Sequence, residues 1–181
     1  MFNNKHTDIL VIGSGPGGYA AAFRAADLGR EVTLVDKDPT LGGVCLNRGC
    51  IPSKTLLHIS KVLEEAESLK KMGVTFTKPT IDIDLVRDWK NKVVSQLSSG
   101  IGQMAKARKV NTIQAEATFL SDNEVQLKSE SSTEKMSFDH CIIASGSSST
   151  IIPGIPFDNE NVLTSKTALD LEKIPKSLLV I

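Results

Sequence analysis

The sequence predicts an α/β fold of three layers, with a central parallel sheet and a small antiparallel β-meander. Three observations carry this expectation. A short apolar run ends in a glycine turn, a helix follows, and a second apolar run ends in an acid. A later stretch breaks into short, polar-punctuated segments of strand character. A third apolar run then leads into a Gly/Ser loop.

In chain order, Asp8–Ile12 reads as a buried parallel strand, because it is apolar, β-branched and closed by glycine. Residues 13–18 form a turn. Tyr19, Ala22, Phe23 and Ala26 then recur at helical spacing, with a stop at Gly29. Glu31–Val35 is a second strand ending at Asp36, which completes a βαβ unit with its right-handed crossover. Pro52 suits a first helical turn, and a helix is expected from there to about Met72. A longer helix is expected from about Ile83 to Arg108. Its stripe of Val86, Trp89, Val93, Leu97, Ile101 and Met104 is expected to face a core. Val110–Phe138 reads as short strands with a hairpin tip at Ser129–Glu134, and Phe138–Gly146 as a buried strand running into a loop. Pro153, Pro156 and Pro175 mark a linker, and Ser177–Ile181 has strand character.

At 181 residues the chain can bury a real core. With 21 basic against 21 acidic side chains, nothing suggests a surface for nucleic acid or membrane. No apolar run approaches the ~20 residues of a membrane span. The opening MFNNKHTDILVIG has neither signal-peptide nor transit-peptide character, so a cytoplasmic setting is expected. Structural disulfides are rare there, which makes a close cysteine pair more interesting as a catalytic or metal-binding one.

Gly13, Gly15 and Gly18 form GxGxxG between a strand and a helix. Gly13 permits the turn, Gly15 lets a pyrophosphate approach the backbone, and Gly18 permits close helix–strand packing. The phosphates would sit on unpaired N–H groups at the helix start. Asp36 stands where a carboxylate accepts ribose hydroxyls, and its charge disfavours a 2′-phosphate.

Cys45 and Cys50 flank LNRG. Zinc would need about four ligands, whereas Cys141 sits in an apolar strand and His6, His58 and His140 are scattered, so metal is the weakest reading. A disulfide needs Cα atoms within about 7 Å. In a regular helix, residues five apart are separated by about 7.5 Å of rise and about 140° of rotation. A bridged pair therefore excludes a regular helix through LNRG, and Gly49, Gly42 and Gly43 supply the flexibility this would need. Two unpaired thiols remain the alternative. A dithiol beside a dinucleotide site points to FAD, since flavins exchange two electrons with dithiols directly.

GSGPGGYAAAFRAADLG, GGVCLNRGCIPSK and ASGS together resemble the FAD-dependent pyridine nucleotide–disulfide oxidoreductases across essentially the whole chain. Leu46 and residues 51–54 resemble the lipoamide branch of that family, rather than its glutathione or mercuric branches. The resemblance implies a Rossmann-like FAD/NAD(P)-binding fold that oxidises protein-bound dihydrolipoamide and passes electrons through Cys45–Cys50 and FAD to NAD+. It makes Cys45 the interchange thiol and Cys50 the charge-transfer thiol. Lys54 would reach the flavin, and Gly13, Gly15, Pro16, Gly18, Asp36, Lys37 and Gly43 would belong to the FAD site. Ala117 would contact adenine through its backbone, and Ser145 and Gly146 would form a second flavin-side loop. Implied partners are a homodimer mate and the lipoyl domain of the E2 component of a 2-oxo acid dehydrogenase complex.

Some positions depart from the family pattern: Asp36 stands for Glu, Ser145 for Thr, and Ala115 and Ala117 for glycines, while Arg48 could favour a thiolate. By this resemblance, residues 1–149 are an FAD-binding domain lacking its return segment. Residues 150–181 are a linker and the first strand of a nicotinamide-binding domain. The NAD+ site and a His–Glu acid/base pair would lie outside the chain. A glutathione- or mercuric-type flavoprotein, or an FAD-binding fragment without catalysis, are the other expectations.

Overall fold

The computed structural model describes residues 5–181, so the lead Met1–Asn4 lies outside it. The chain divides into two compact units, 1–47 with 95–147, and 48–94 with 148–181.

The first unit holds one six-stranded sheet. Its parallel part comprises β1 (Lys5–Ile12), β2 (Val32–Asp36) and β3 (Asn111–Gln114). Its antiparallel part comprises β4 (Glu116–Ser121), β5 (Glu124–Lys128) and the start of β6 (Thr133–Ile143). The order is β3-β2-β1-β6-β5-β4. β3 and β4 thus lie at opposite ends of the sheet, yet Ala115 alone separates them in sequence. The sheet must therefore curl, bringing the meander back over one face of the parallel strands. The buried contacts agree: Leu10 and Val35 of the parallel strands pack with Val125, Leu127, Met136 and Phe138.

The other face is covered by α1 (Pro16–Asp27). Its Ala22, Phe23 and Ala25 pack with Val11, Val32 and Leu34. Helix, parallel strands and meander make the three layers that the sequence predicts.

α4 (Ile83–Ala107) contributes its second half to this unit, and it corrects the sequence reading. The inward residues are Ser98, Ile101 and Ala105, while Leu97 and Met104 are 42% and 43% exposed. The Ser98 hydroxyl donates to the Leu41 carbonyl at 2.9 Å, a close approach that suits a small residue. Small side chains at the crossing outweigh the periodicity of the large ones.

β6 is one strand of 11 residues, not a separate buried strand from Phe138. It pairs with β5 at its start and with β1 from Lys5↔Met136 to Ile12↔Ile143. Its last residues are open: Ile143 is 66% exposed.

The second unit contains α3 (Cys50–Ser68), a 3-10 turn at Leu69–Met72, the first half of α4, and α5 (Ser165–Asp170). α3 starts at Cys50, two residues before the expected Pro52. Proline is tolerated there because the first-turn N–H groups have no intrahelical acceptor. Trp89, expected to face a core, is 53% exposed, and the neighbouring Lys90 is buried instead. Lys90 Nζ donates to the Leu169 carbonyl at 2.7 Å, and Arg87 Nε donates to Leu171 at 3.1 Å. These cations satisfy carbonyls at the α5 C-terminus, where positive charge is favoured. Ser177–Ile181 lies outside any strand, because a single apolar run has no ladder partner there.

Burial pushes the Lys90 ammonium below the ordinary lysine value of 10.5, with Asp170 pulling it back up and Arg87 pushing it further down. The unfolded chain therefore keeps this proton to higher pH than the folded chain does. Stability should rise with pH in the window just below 10.5. Melting of wild type and Lys90→Met across that window checks this. The variant should lack the rise, and parallel curves would contradict it.

Candidate dinucleotide site

Three segments meet at the carboxyl ends of the parallel strands: the turn after β1, residues 36–43 after β2, and residues 144–146 after β6. The backbone holds them together. Gly13 N–H donates to the Val35 carbonyl at 2.8 Å, Ala144 N–H to Ile12 at 2.8 Å, and Gly42 N–H to Ser14 at 2.9 Å.

The glycines of the turn separate into two kinds. A Cβ on Gly18 would lie 1.7 Å from the Gly13 carbonyl oxygen, and one on Gly13 would lie 2.2 Å from that of Ala144. A Cβ on Gly43 would lie 2.6 Å from the Cα of Gly15. These three are demanded by the protein's own packing. Gly15 differs: a Cβ there meets nothing within 4 Å. The protein does not need that space, so it is open to a ligand. Gly15 is also the N-cap of α1, with Pro16 next and no side chain capping the helix. An uncapped helix N-terminus beside bare backbone suits a pyrophosphate.

Asp36 is half-buried and does more than the sequence suggests. Its Oδ2 accepts from both the backbone N–H and the hydroxyl of Ser14, each at 2.6 Å, and its Oδ1 accepts from Asp38 N–H at 2.9 Å. The carboxylate thus fastens the glycine turn to the end of β2. It also lines a cavity of about 380 Å³ together with Thr40, Leu41, Ser98 and Gln114. A second cavity of about 370 Å³ is lined by Lys37, Gln114, Ala115 and Lys128. Each has the size of a small-ligand site. Open backbone at Gly15, an uncapped helix and a carboxylate at a cavity fit the adenosine and pyrophosphate parts of a dinucleotide.

Cys45 lies on α2 (Gly43–Arg48), which begins at the glycine packed against Gly15. The packing of Gly43 on Gly15 thus ties the glycine turn to the helix that carries the first cysteine. Cys50 opens α3 in the second unit, with Lys54 one turn on and exposed. Cys45 and Cys50 are both half-buried. The expectation that no regular helix runs through LNRG agrees with the backbone: Leu46–Arg48 are helical, and the helix breaks at Gly49, with φ −144° and ψ −100°.

Ser145 and Gly146 are exposed beside the turn. Ala117 lies on the edge strand β4, opposite Leu127. Cys141 packs against the meander core, and burial pushes its thiol up, away from reactivity. Among the described residues, one group has metal-ligand chemistry: His6, Asp8 and Asp139, with ligand atoms within 4.8 Å of one another. It lies towards the start of β1, away from the turn, and contains neither cysteine. Among the described residues no helix is long and apolar enough to cross a membrane.

Sequence reasoning missed Ser14, the buried middle of the first GxG. The available signal was a hydroxyl residue between two glycines, with an acid ending the next strand.

Comparison with known proteins adds an independent finding. The family described as pyridine nucleotide-disulphide oxidoreductase matches residues 7–181. A dihydrolipoyl dehydrogenase of Buchnera aphidicola (from Acyrthosiphon pisum) is 48% identical over 181 residues, 100% of this chain and 38% of that protein. Those of Vibrio cholerae and Bacillus subtilis are 45% and 46% identical over 99% and 97% of this chain. The chain thus spans 38% of the length of the first of these curated relatives.

Proposed function

Because the chain belongs to the pyridine nucleotide-disulphide oxidoreductase family, we propose that it is the FAD-binding, redox-dithiol part of a dihydrolipoyl dehydrogenase. Residues 1–149 form the FAD-binding part and 150–181 lead towards a nicotinamide-binding part. The observation that carries this reading is the open backbone at Gly15 next to Gly43, from which α2 leads to Cys45.

Gly15 and the α1 N-terminus hold the pyrophosphate, and Asp36 takes the ribose hydroxyls. Pro16 and Lys37 flank these contacts, the Ala117 backbone meets adenine, Ser145 and Gly146 form a flavin-side loop, and Lys54 is assigned to the flavin by the family resemblance alone. In the whole protein a dihydrolipoamide thiolate attacks Cys45 Sγ, the Cys45–Cys50 bond breaks, and Cys50 leaves as thiolate. The second lipoyl thiol closes its own disulfide and releases Cys45. A bound flavin supplies the two-electron acceptor for the resulting dithiol and the hydride donor for NAD+. NAD+ and an acid/base pair bind in parts of the relatives' length that this chain does not span. The lipoyl domain of an E2 component delivers the substrate, the working enzyme is a homodimer, and the setting is cytoplasmic.

Titrating the purified chain with FAD tests this. Flavin fluorescence should change with one equivalent bound, and melting should shift upward. Turnover of lipoamide with NAD+ by the chain alone should be negligible. No binding at micromolar flavin would contradict the assignment of the site to these residues.

A further inference from the structure

Ser14 is fully buried, and each of its polar groups is bonded. Its N–H and hydroxyl both reach Asp36 Oδ2 at 2.6 Å, and its carbonyl accepts from Gly42 N–H at 2.9 Å. One residue thereby joins the glycine turn, the acid ending β2 and the start of the cysteine-bearing segment. A carboxylate on a single Cβ turns about two torsions, and donors on both of its oxygens fix one orientation. Two of the donors to Asp36 named above are backbone groups. The Ser14 hydroxyl is the third, and a substitution can remove it without altering the main chain.

We infer that Ser14 is a positioning residue: its hydroxyl orients the Asp36 carboxylate towards the cavity it lines, and so sets affinity for the adenosine ribose of a bound dinucleotide. This rests on the dinucleotide reading above. Ser14 acts through Asp36 and touches no ligand itself. A flavin without the adenosine end should be indifferent to it.

The test uses four forms of the full chain: wild type, Ser14→Ala, Asp36→Ala and the double variant. FAD affinity is read by flavin fluorescence, with FMN as the probe that lacks adenosine. Ser14→Ala should weaken FAD about fivefold or more in the wild-type background but less than about twofold with Asp36→Ala, because coupled residues do not add. FMN affinity should be the same with and without the serine. Equal losses in both backgrounds, or unchanged FAD affinity in Ser14→Ala, would overturn the inference. If wild type binds no FAD, the dinucleotide reading fails first. Melting the four ligand-free chains then decides the coupling alone: non-additive losses support it, and additive losses overturn it.

Discussion

Gly18→Ala should unfold the first unit under conditions where the wild-type chain is stable, while Gly15→Ala, three residues away, should leave it folded and abolish tight FAD binding. The two changes add the same methyl group to the same turn. At Gly18 the methyl would lie 1.7 Å from the Gly13 carbonyl oxygen and 2.8 Å from its carbon. That neighbour is backbone at the end of a central strand, so it cannot yield without moving β1. The cost should reach about 4 kcal/mol or more, a large share of the stability of an ordinary domain. At Gly15 the methyl meets nothing within 4 Å, and φ is −65°, which any residue adopts. Stability should change by less than about 1 kcal/mol. The methyl instead occupies the approach of the pyrophosphate, and FAD affinity should fall at least tenfold, about 1.4 kcal/mol. Thermal melting and flavin titration of the two variants separate the effects. A stable Gly18→Ala chain, or a Gly15→Ala chain that binds FAD normally, would contradict this division of the turn.

The second large effect is expected at the cysteines, in the whole protein rather than in this chain alone. Cys45→Ser and Cys50→Ser should each lower lipoamide:NAD+ turnover by about a thousandfold or more, as losses of a nucleophile do. Serine keeps the size and a hydroxyl, so the fold should be unaffected. The two fail for different reasons. Without Cys45 no mixed disulfide forms with the substrate. Without Cys50 the Cys45 thiol remains, but it has no sulfur–sulfur bond for the substrate thiolate to attack and no partner thiolate to pass the electron pair to the flavin. Steady-state assays with both variants check this, and near-normal activity in either would remove the pair from the mechanism.

Much of the fold was legible because its signals are local. The run from Asp8 to Asp36 carries strand, turn, helix and strand within one short stretch, and the structure has each of them in place. The meander was legible as a change of pattern. What failed depended on distant partners. The face of α4 could not be read from its large residues, because proximity to Leu41 gives Ser98 the inward place. Ser177–Ile181 has strand composition, but composition does not supply a neighbouring strand. The bond from Ser14 to Asp36 spans 22 residues and leaves no periodic trace. Within the site, the roles of Gly15 and Gly18 could be told apart in principle from the motif. The packing of Gly43 on Gly15, which ties α2 to the turn, required the coordinates.

On the proposed function, the Cys45–Cys50 pair and a flavin bound at this turn share electrons. Anaerobic reductive titration of the FAD-loaded protein measures it most directly, with flavin absorbance as the readout, in wild type and Cys50→Ser. Wild type should take up two electron pairs per flavin, one stored as the dithiol and one in the flavin, whereas Cys50→Ser should take up one. Equal uptake by the two proteins would mean that the cysteine pair stores no electrons.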